Sequence, residues 1–206
     1  MPWVSDFLDS DNIPGVLLMA ALTPFIMPLI DESQRSRFEF NTYVYGDSGS
    51  GKSAITKLLV DYFEGSPNII NLHSNKSEID KIFEYKHCCV AIDDLCGTDS
   101  NRERENNEQK LSENLKRVQT PGQIVRDGKR IKNESMLFVT GEYLLKSSST
   151  LNRCLVVNLK DPIPPKEINK LCCNKDQYLE MVRRFIEWVC KNYDLSLIHI
   201  SEPTRL

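Results

Sequence analysis

The sequence has no C-x-x-C pair and only three histidines, His73, His87 and His199. No metal-ligand spacing recurs, so a zinc centre is not expected. The seven cysteines are an odd number, and several lie in apolar runs. That pattern reads as buried thiols in a reducing, cytoplasmic compartment and not as a disulfide framework. A strong charge of one sign is lacking too. Twenty-six Lys and Arg face 29 Asp and Glu, a net charge of −3. The chain as a whole is no polycation, so any nucleic-acid contact must come from a local patch. The opening Met1-Pro2-Trp3-Val4-Ser5-Asp6 lacks the basic start of a secretory signal, and internal repeats are absent. Apolar content of 40% and charged content of 27% over 206 residues fit one domain with appendages and a real core.

One uncharged apolar run is present, Ile13 to Ile30. Its length invites a membrane reading. Pro14, Pro24 and Pro28 interrupt it, and a phosphate-binding motif follows closely. The expectation is a buried helix or helix pair packed on a core, with no membrane span. Asp9, Ser10 or Asp11 would cap a helix through Val16 to Leu22, Thr23-Pro24 would break it, and a second short helix would reach Leu29. Asp31 to Arg37 is a charged connector.

The rest of the chain is organised around Tyr45-Gly46-Asp47-Ser48-Gly49-Ser50-Gly51-Lys52-Ser53, a complete G-x-x-x-x-G-K-[ST] loop. Phe40 to Tyr45 is aromatic and β-branched, as a strand should be. Ala54 to Phe63 places Ile55, Leu58, Leu59, Tyr62 and Phe63 at helical spacing. A triphosphate brings several negative charges against a backbone, which must offer many N–H donors. Gly46, Gly49 and Gly51 permit the unusual dihedrals and the close approach, and the helix adds its positive end. The binding loop is Gly46, Asp47, Ser48, Gly49, Ser50, Gly51, Lys52, Ser53 and Ala54. Lys52 is expected on the β- and γ-phosphates, and the Ser53 hydroxyl on Mg²⁺.

Asn68 to Leu72 reads as a strand and Lys76 to Tyr85 as a helix. Cys88-Cys89-Val90-Ala91-Ile92-Asp93-Asp94 is an apolar run ending in two carboxylates, the pattern of a strand buried on both faces. Phosphoryl transfer needs a Mg²⁺ ligand at a strand end beside the phosphate loop and a group to orient water. Asp93 fits the first role and Asp94 the second.

Thr98 to Arg117 is very polar, with an exposed helix expected over Glu105 to Val118. Ile124 to Ile131 reads as a hairpin about Asp127-Gly128. Between Lys116 and Lys132 six basic residues stand against Asp127. Arg126, Lys129 and Arg130 could grip nucleic-acid phosphates; equally, they could be a solvated edge whose cations blunt aggregation. Ser135 to Glu142 is a further strand, Ser147 to Thr150 a polar loop or cap, and Cys154 to Leu159 the last strand. Helices follow over Lys166 to Cys172 and Asp176 to Tyr193.

In this order, Tyr45 to Ser53, Val90 to Leu95, Val139-Thr140-Gly141-Glu142 and Thr150 to Val157 resemble the AAA+ class of ring-forming P-loop ATPases. The pattern is most similar to helicase-like ATPases of phages, plasmids and integrated elements, of superfamily 3 or primase-helicase type, including an uncharacterised bacterial domain family. The resemblance covers roughly residues 12 to 190, and only the phosphate loop is a specific motif. It implies an α/β P-loop fold, a parallel sheet sandwiched by helices. It also implies Thr140 as a γ-phosphate sensor and Arg153 as an arginine finger reaching a neighbouring subunit. Arg153 ending a helix, where a cation suits the dipole, is the plainer alternative. Two positions depart from the family, which more often has Glu at Asp94 and Asn at Thr140. The expected division is an N-terminal helical segment over 1–39, an ATPase core over 40–160 and a partial helical lid over 161–194. Leu195 to Arg205 resembles a translated sequencing-library adapter, and the fold is expected to stop near Asp194.

The expected function is Mg²⁺-dependent ATP hydrolysis by the motor core of a DNA helicase-like ATPase of a mobile element. It would act as a homo-oligomeric ring on DNA through the hairpin. A nucleotide-switch regulator with a protein partner, or a monomeric small-molecule phosphotransferase with its arginine in cis, are the alternatives.

Overall fold

Strand β1, Asn41–Tyr45, runs into the phosphate loop, and helix α3, Lys52–Val60, leaves it. Ahead of them lie α1, Ile13–Ile26, a 3₁₀ turn over Met27–Leu29 and the short α2, Glu32–Arg35. After α3 come β2 (Ile69–Asn71), α4 (Lys76–Ile79) extended by a 3₁₀ turn (Asp80–Glu84), and β3 (Lys86–Leu95). Then follow α5 (Asn101–Val118), β4 (Gln123–Arg126), β5 (Lys129–Lys132), β6 (Glu134–Gly141), α6 (Ser148–Leu151), β7 (Cys154–Asn158), α7 (Pro165–Cys173) and α8 (Lys175–Lys191). The structure, a computed structural model, describes residues 13–30, 32–35, 39–62, 69–74, 76–95, 100–118, 123–126 and 128–192. The expected caps at Asp9, Ser10 and Asp11, Asp127 of the hairpin turn and the tail from Leu195 lie outside these residues.

Among the described residues the main sheet has five strands in the order β2-β3-β6-β1-β7, with every neighbouring pair parallel. A parallel sheet needs both faces covered, and alternation along each strand supplies the two apolar surfaces. Val44, Ala91, Met136 and Phe138 join α1, α3 and α8 in one core; Tyr43, Val90, Ile92, Leu137 and Val139 join α4, α5 and the Leu145 loop in the other. This is the α/β P-loop architecture expected from the sequence. The pairing of β3 with β6 shifts register between Lys86 and Cys89, and His87 there takes φ of 53°. That irregularity places the successive Cys88 and Cys89 in the same core cluster.

Several boundaries differ from the sequence expectation. Helix α1 passes through Thr23-Pro24 to Ile26 instead of breaking there. Proline removes the N–H that would bond four residues back, but the carbonyls of that turn find other donors. Tyr62 Oη donates to Ala21 O at 2.6 Å, Cys89 Sγ lies 3.8 Å from Ala20 O, and Thr23 Oγ1 donates to Met19 O at 2.8 Å. Leu17, Leu18, Ala20, Ala21 and Leu22 are buried, so the run is core. No helix among the described residues is long and apolar enough to cross a membrane. The expected helix over Lys76–Tyr85 tightens to 3₁₀ from Asp80 onward. Of the two readings for Ser147–Thr150 the cap holds at Ser147, the N-cap of a short helix over Ser148–Leu151.

Candidate functional site

The order of strands builds the site. Because β6 lies between β1 and β3, its end is inserted between the phosphate loop and Asp93. Thr140, near the end of β6, therefore reaches the carboxylate that ends the apolar run of β3.

The loop itself is shaped by contacts that only glycine allows. A Cβ on Gly46 would lie 2.5 Å from Leu159 O, a backbone atom. Gly51 has φ of 92°, and a Cβ there would meet Ile168 Cδ1 at 3.0 Å. Gly51 is also the N-cap of α3 and makes no side-chain cap bond, so no side chain competes for the first-turn amides that could receive an anion. The turn is pinned from outside by Gly46 N to Gly141 O (3.2 Å), Leu159 N to Tyr45 O (2.8 Å) and Ile163 N to Ser50 O (3.0 Å). Lys52 is buried at 7% exposure, and its Nζ donates to Asp47 O at 2.6 Å and Ser50 Oγ at 3.2 Å.

A cavity of about 590 Å³ opens over the loop, lined by Ser48, Gly49, Gly51 to Ala54, Lys57, Asn71, Asp93, Thr140 and Glu142 among others. Its polar centre is Asp93. Ser53 Oγ donates to Asp93 Oδ1 at 2.8 Å, Thr140 Oγ1 donates to the same oxygen, and Lys57 Nζ stands 3.4 Å from Oδ2. Partial burial pushes the Asp93 carboxyl up, but the two hydroxyls and the Lys57 ammonium outweigh it, and the net shift is downward. The group is therefore an anion at neutral pH.

Among the described residues no set of three His, Cys, Asp or Glu side chains is placed to hold a metal ion. One hydroxyl and one ionised carboxylate in contact are nevertheless a hard-oxygen pair. Mg²⁺ suits such a pair, since it commonly takes one or two carboxylates plus phosphate oxygens and waters.

The structure thus brings Gly46 to Ala54, Asp93 and Thr140 together. Asp94 follows Asp93 in β3; its side chain lies outside the described atoms. Arg153 and the hairpin are elsewhere. Arg153 O accepts from Asn41 N at 3.0 Å, and Cys154 pairs with Asn41, at the start of β1. At ~3.3 Å per residue this is ~15 Å from the loop along the strand. The hairpin β4–β5 precedes the start of β6, at that same far end. Arg126 Nη1 bonds Glu84 Oε1 at 2.6 Å, while Lys129 and Arg130 are exposed. Sequence reading missed Lys57, Asn71 and Glu142. Lys57 had a local signal, since it lies one helical turn after Ser53. Asn71 is set in register with Asp93 by the β2–β3 pairing, which no local pattern reveals.

Solved structures similar to the chain include PCH-2 of C. elegans, at 14% identity and a TM-score of 0.47, covering 75% of this chain and 43% of that one. The JCV helicase is similar at 16% identity and a TM-score of 0.44, covering 97% of this chain and 59% of that one. The chain therefore spans less than two thirds of either. No curated protein matches it. The family model described as novel STAND NTPase 3 matches residues 41–186, from the first residue of β1 into α8. The chain belongs to the novel STAND NTPase 3 family.

Proposed function

We propose that the chain is the core of a Mg²⁺-dependent ATP hydrolase, with the cavity over Gly46–Ala54 as its nucleotide site. The observation that carries this reading is the 2.8 Å bond from Ser53 Oγ to Asp93 Oδ1. It joins the end of the phosphate loop to the strand carboxylate at one mouth of a parallel sheet. Lys52 leaves its two loop oxygens for the β- and γ-phosphates, which the amides of the loop and of the first helical turn also bind. Ser53 and Asp93 are the residues that would hold Mg²⁺, which when bound neutralises charge building on the phosphate oxygens. Thr140 orients Asp93 and faces the γ-phosphate position, and Asp94 orients the attacking water. Water adds to the γ-phosphorus as the bond to the bridging oxygen breaks and ADP leaves with the electron pair; no covalent enzyme intermediate forms.

Arg153 is attached at the end of β1 away from its own loop. It is read as reaching a neighbouring copy's nucleotide, which makes the active form an oligomer, of ring type by resemblance. Lys129 and Arg130 are read as a DNA contact, which gives a helicase-like motor; Arg126 is engaged by Glu84 and contributes less. That ion pair favours a second reading, a nucleotide switch whose hairpin meets a protein partner. The test is ATP hydrolysis with and without single-stranded DNA. Stimulation by DNA that is lost in the double variant Lys129→Ala, Arg130→Ala supports the motor. Unstimulated hydrolysis with unchanged DNA binding in that variant supports the switch.

A further inference from the structure

The two oxygens of Asp93 have different partners. Oδ1 takes the hydroxyls of Ser53 and Thr140, and Oδ2 faces the Lys57 ammonium at 3.4 Å. Lys57 lies four residues beyond Ser53 on α3, and this spacing puts both on one face of the helix, toward the same cavity. The Asp93 side chain is 19% exposed and that of Lys57 51%. The ammonium thus supplies positive charge at the carboxylate oxygen that the hydroxyls leave open.

Resting on the site reading above, we infer that Lys57 is a positioning residue. It is the counter-ion that holds the Asp93 carboxylate in place before the metal–nucleotide complex arrives, and it is displaced from Oδ2 when the complex binds. Two cations sharing one carboxylate repel each other at such distances. The divalent ion, with phosphates as further ligands, is the stronger partner. Lys57 can yield at small cost, because its head is half in water on a flexible four-carbon stem. Ser53 and Thr140 keep donating to Oδ1. The consequence is a Mg²⁺ requirement set by competition: the lysine raises the metal concentration needed to load the site and keeps the carboxylate aligned until then.

The test is binding of a fluorescent N-methylanthraniloyl derivative of ATP to the full chain, titrated with Mg²⁺ and repeated in EDTA. The proteins are wild type, Lys57→Met, Lys57→Arg and Asp93→Asn. The Mg²⁺ midpoint is expected to fall about two- to five-fold in Lys57→Met, the scale of a half-exposed ion pair. It should stay at the wild-type value in Lys57→Arg. An unchanged or raised midpoint in Lys57→Met overturns the inference. If that happens while Asp93→Asn abolishes the Mg²⁺ response, the site reading stands and only the role of Lys57 falls. If Asp93→Asn keeps the wild-type Mg²⁺ response, the site reading fails and takes the lysine's role with it.

Discussion

Two hydroxyls and an ammonium converge on Asp93, so its charge state is tied to the fold. Its carboxyl is held below the ordinary range, which means the folded state binds its proton less readily than the unfolded chain. Such a group contributes stability that is present above the unfolded value and is lost as pH falls through the folded one. The stability gap between wild type and Asp93→Asn should therefore be constant near neutrality and close as pH drops below about 4. Urea denaturation of both proteins across that range measures it; a gap that widens in acid contradicts the assignment. Gly141 makes a second case. A Cβ there would lie 2.3 Å from Tyr43 Oη and 3.1 Å from Leu95 Cδ2, and Tyr43 is itself held by a bond to Tyr143 O at 2.5 Å. Gly141→Ala should cost about 1–3 kcal/mol, the scale of overpacking, with part restored by Tyr43→Phe in the same chain; denaturation midpoints read both. The glycines of the phosphate loop were legible because their motif is local. Gly141, Lys57 and Asn71 were not, because what constrains or employs them comes from strands and side chains distant in sequence.

At the scale of elements, α1 shows how tertiary bonds override a local signal. Thr23-Pro24 reads as a helix stop, yet the helix continues: Pro24 leaves the Ala20 carbonyl without its usual N–H, Cys89 Sγ lies 3.8 Å from that oxygen, and Tyr62 Oη bonds the neighbouring Ala21 carbonyl. Tyr62 is buried at 5% exposure, so Tyr62→Phe leaves a buried acceptor without that donor and should cost about 1–3 kcal/mol. Thermal melting measures the loss, and a neutral variant would show that the proline turn needs no such support. The buried strands were legible from continuous apolar runs, and the hairpin from Asp127-Gly128 between alternating residues. Pairing confirms that hairpin: Val125 faces Arg130 and Arg126 faces Lys129. Its bond to Glu84 could not be read, since nothing in the hairpin's own sequence names a partner 42 positions away.

Over the whole molecule, the five strands carry the nucleotide cavity at one end and Arg153 and the hairpin at the other. With β6 spanning Glu134–Gly141, the hairpin end is ~20 Å from the cavity end at ~3.3 Å per residue, and Arg153, level with the start of β1, is ~15 Å from the loop. On the proposed reading Arg153 serves the nucleotide of another copy. Arg153→Ala should lower hydrolysis about a thousand-fold or more, the scale of a lost arginine finger, with nucleotide binding intact. Mixing it with Lys52→Ala, which keeps Arg153, should restore part of the rate; no restoration in the mixture contradicts a site completed between copies. On the proposed function the glycine-lysine-serine turn and Asp93 form one nucleotide site. The most direct measurement is equilibrium binding of the fluorescent ATP derivative with Mg²⁺ to wild type and to Lys52→Ala. Removing charge-assisted bonds worth about 1.5–3 kcal/mol predicts affinity weaker by about ten-fold or more in the variant, with the fold retained by circular dichroism. Equal affinity in the two proteins would contradict the account.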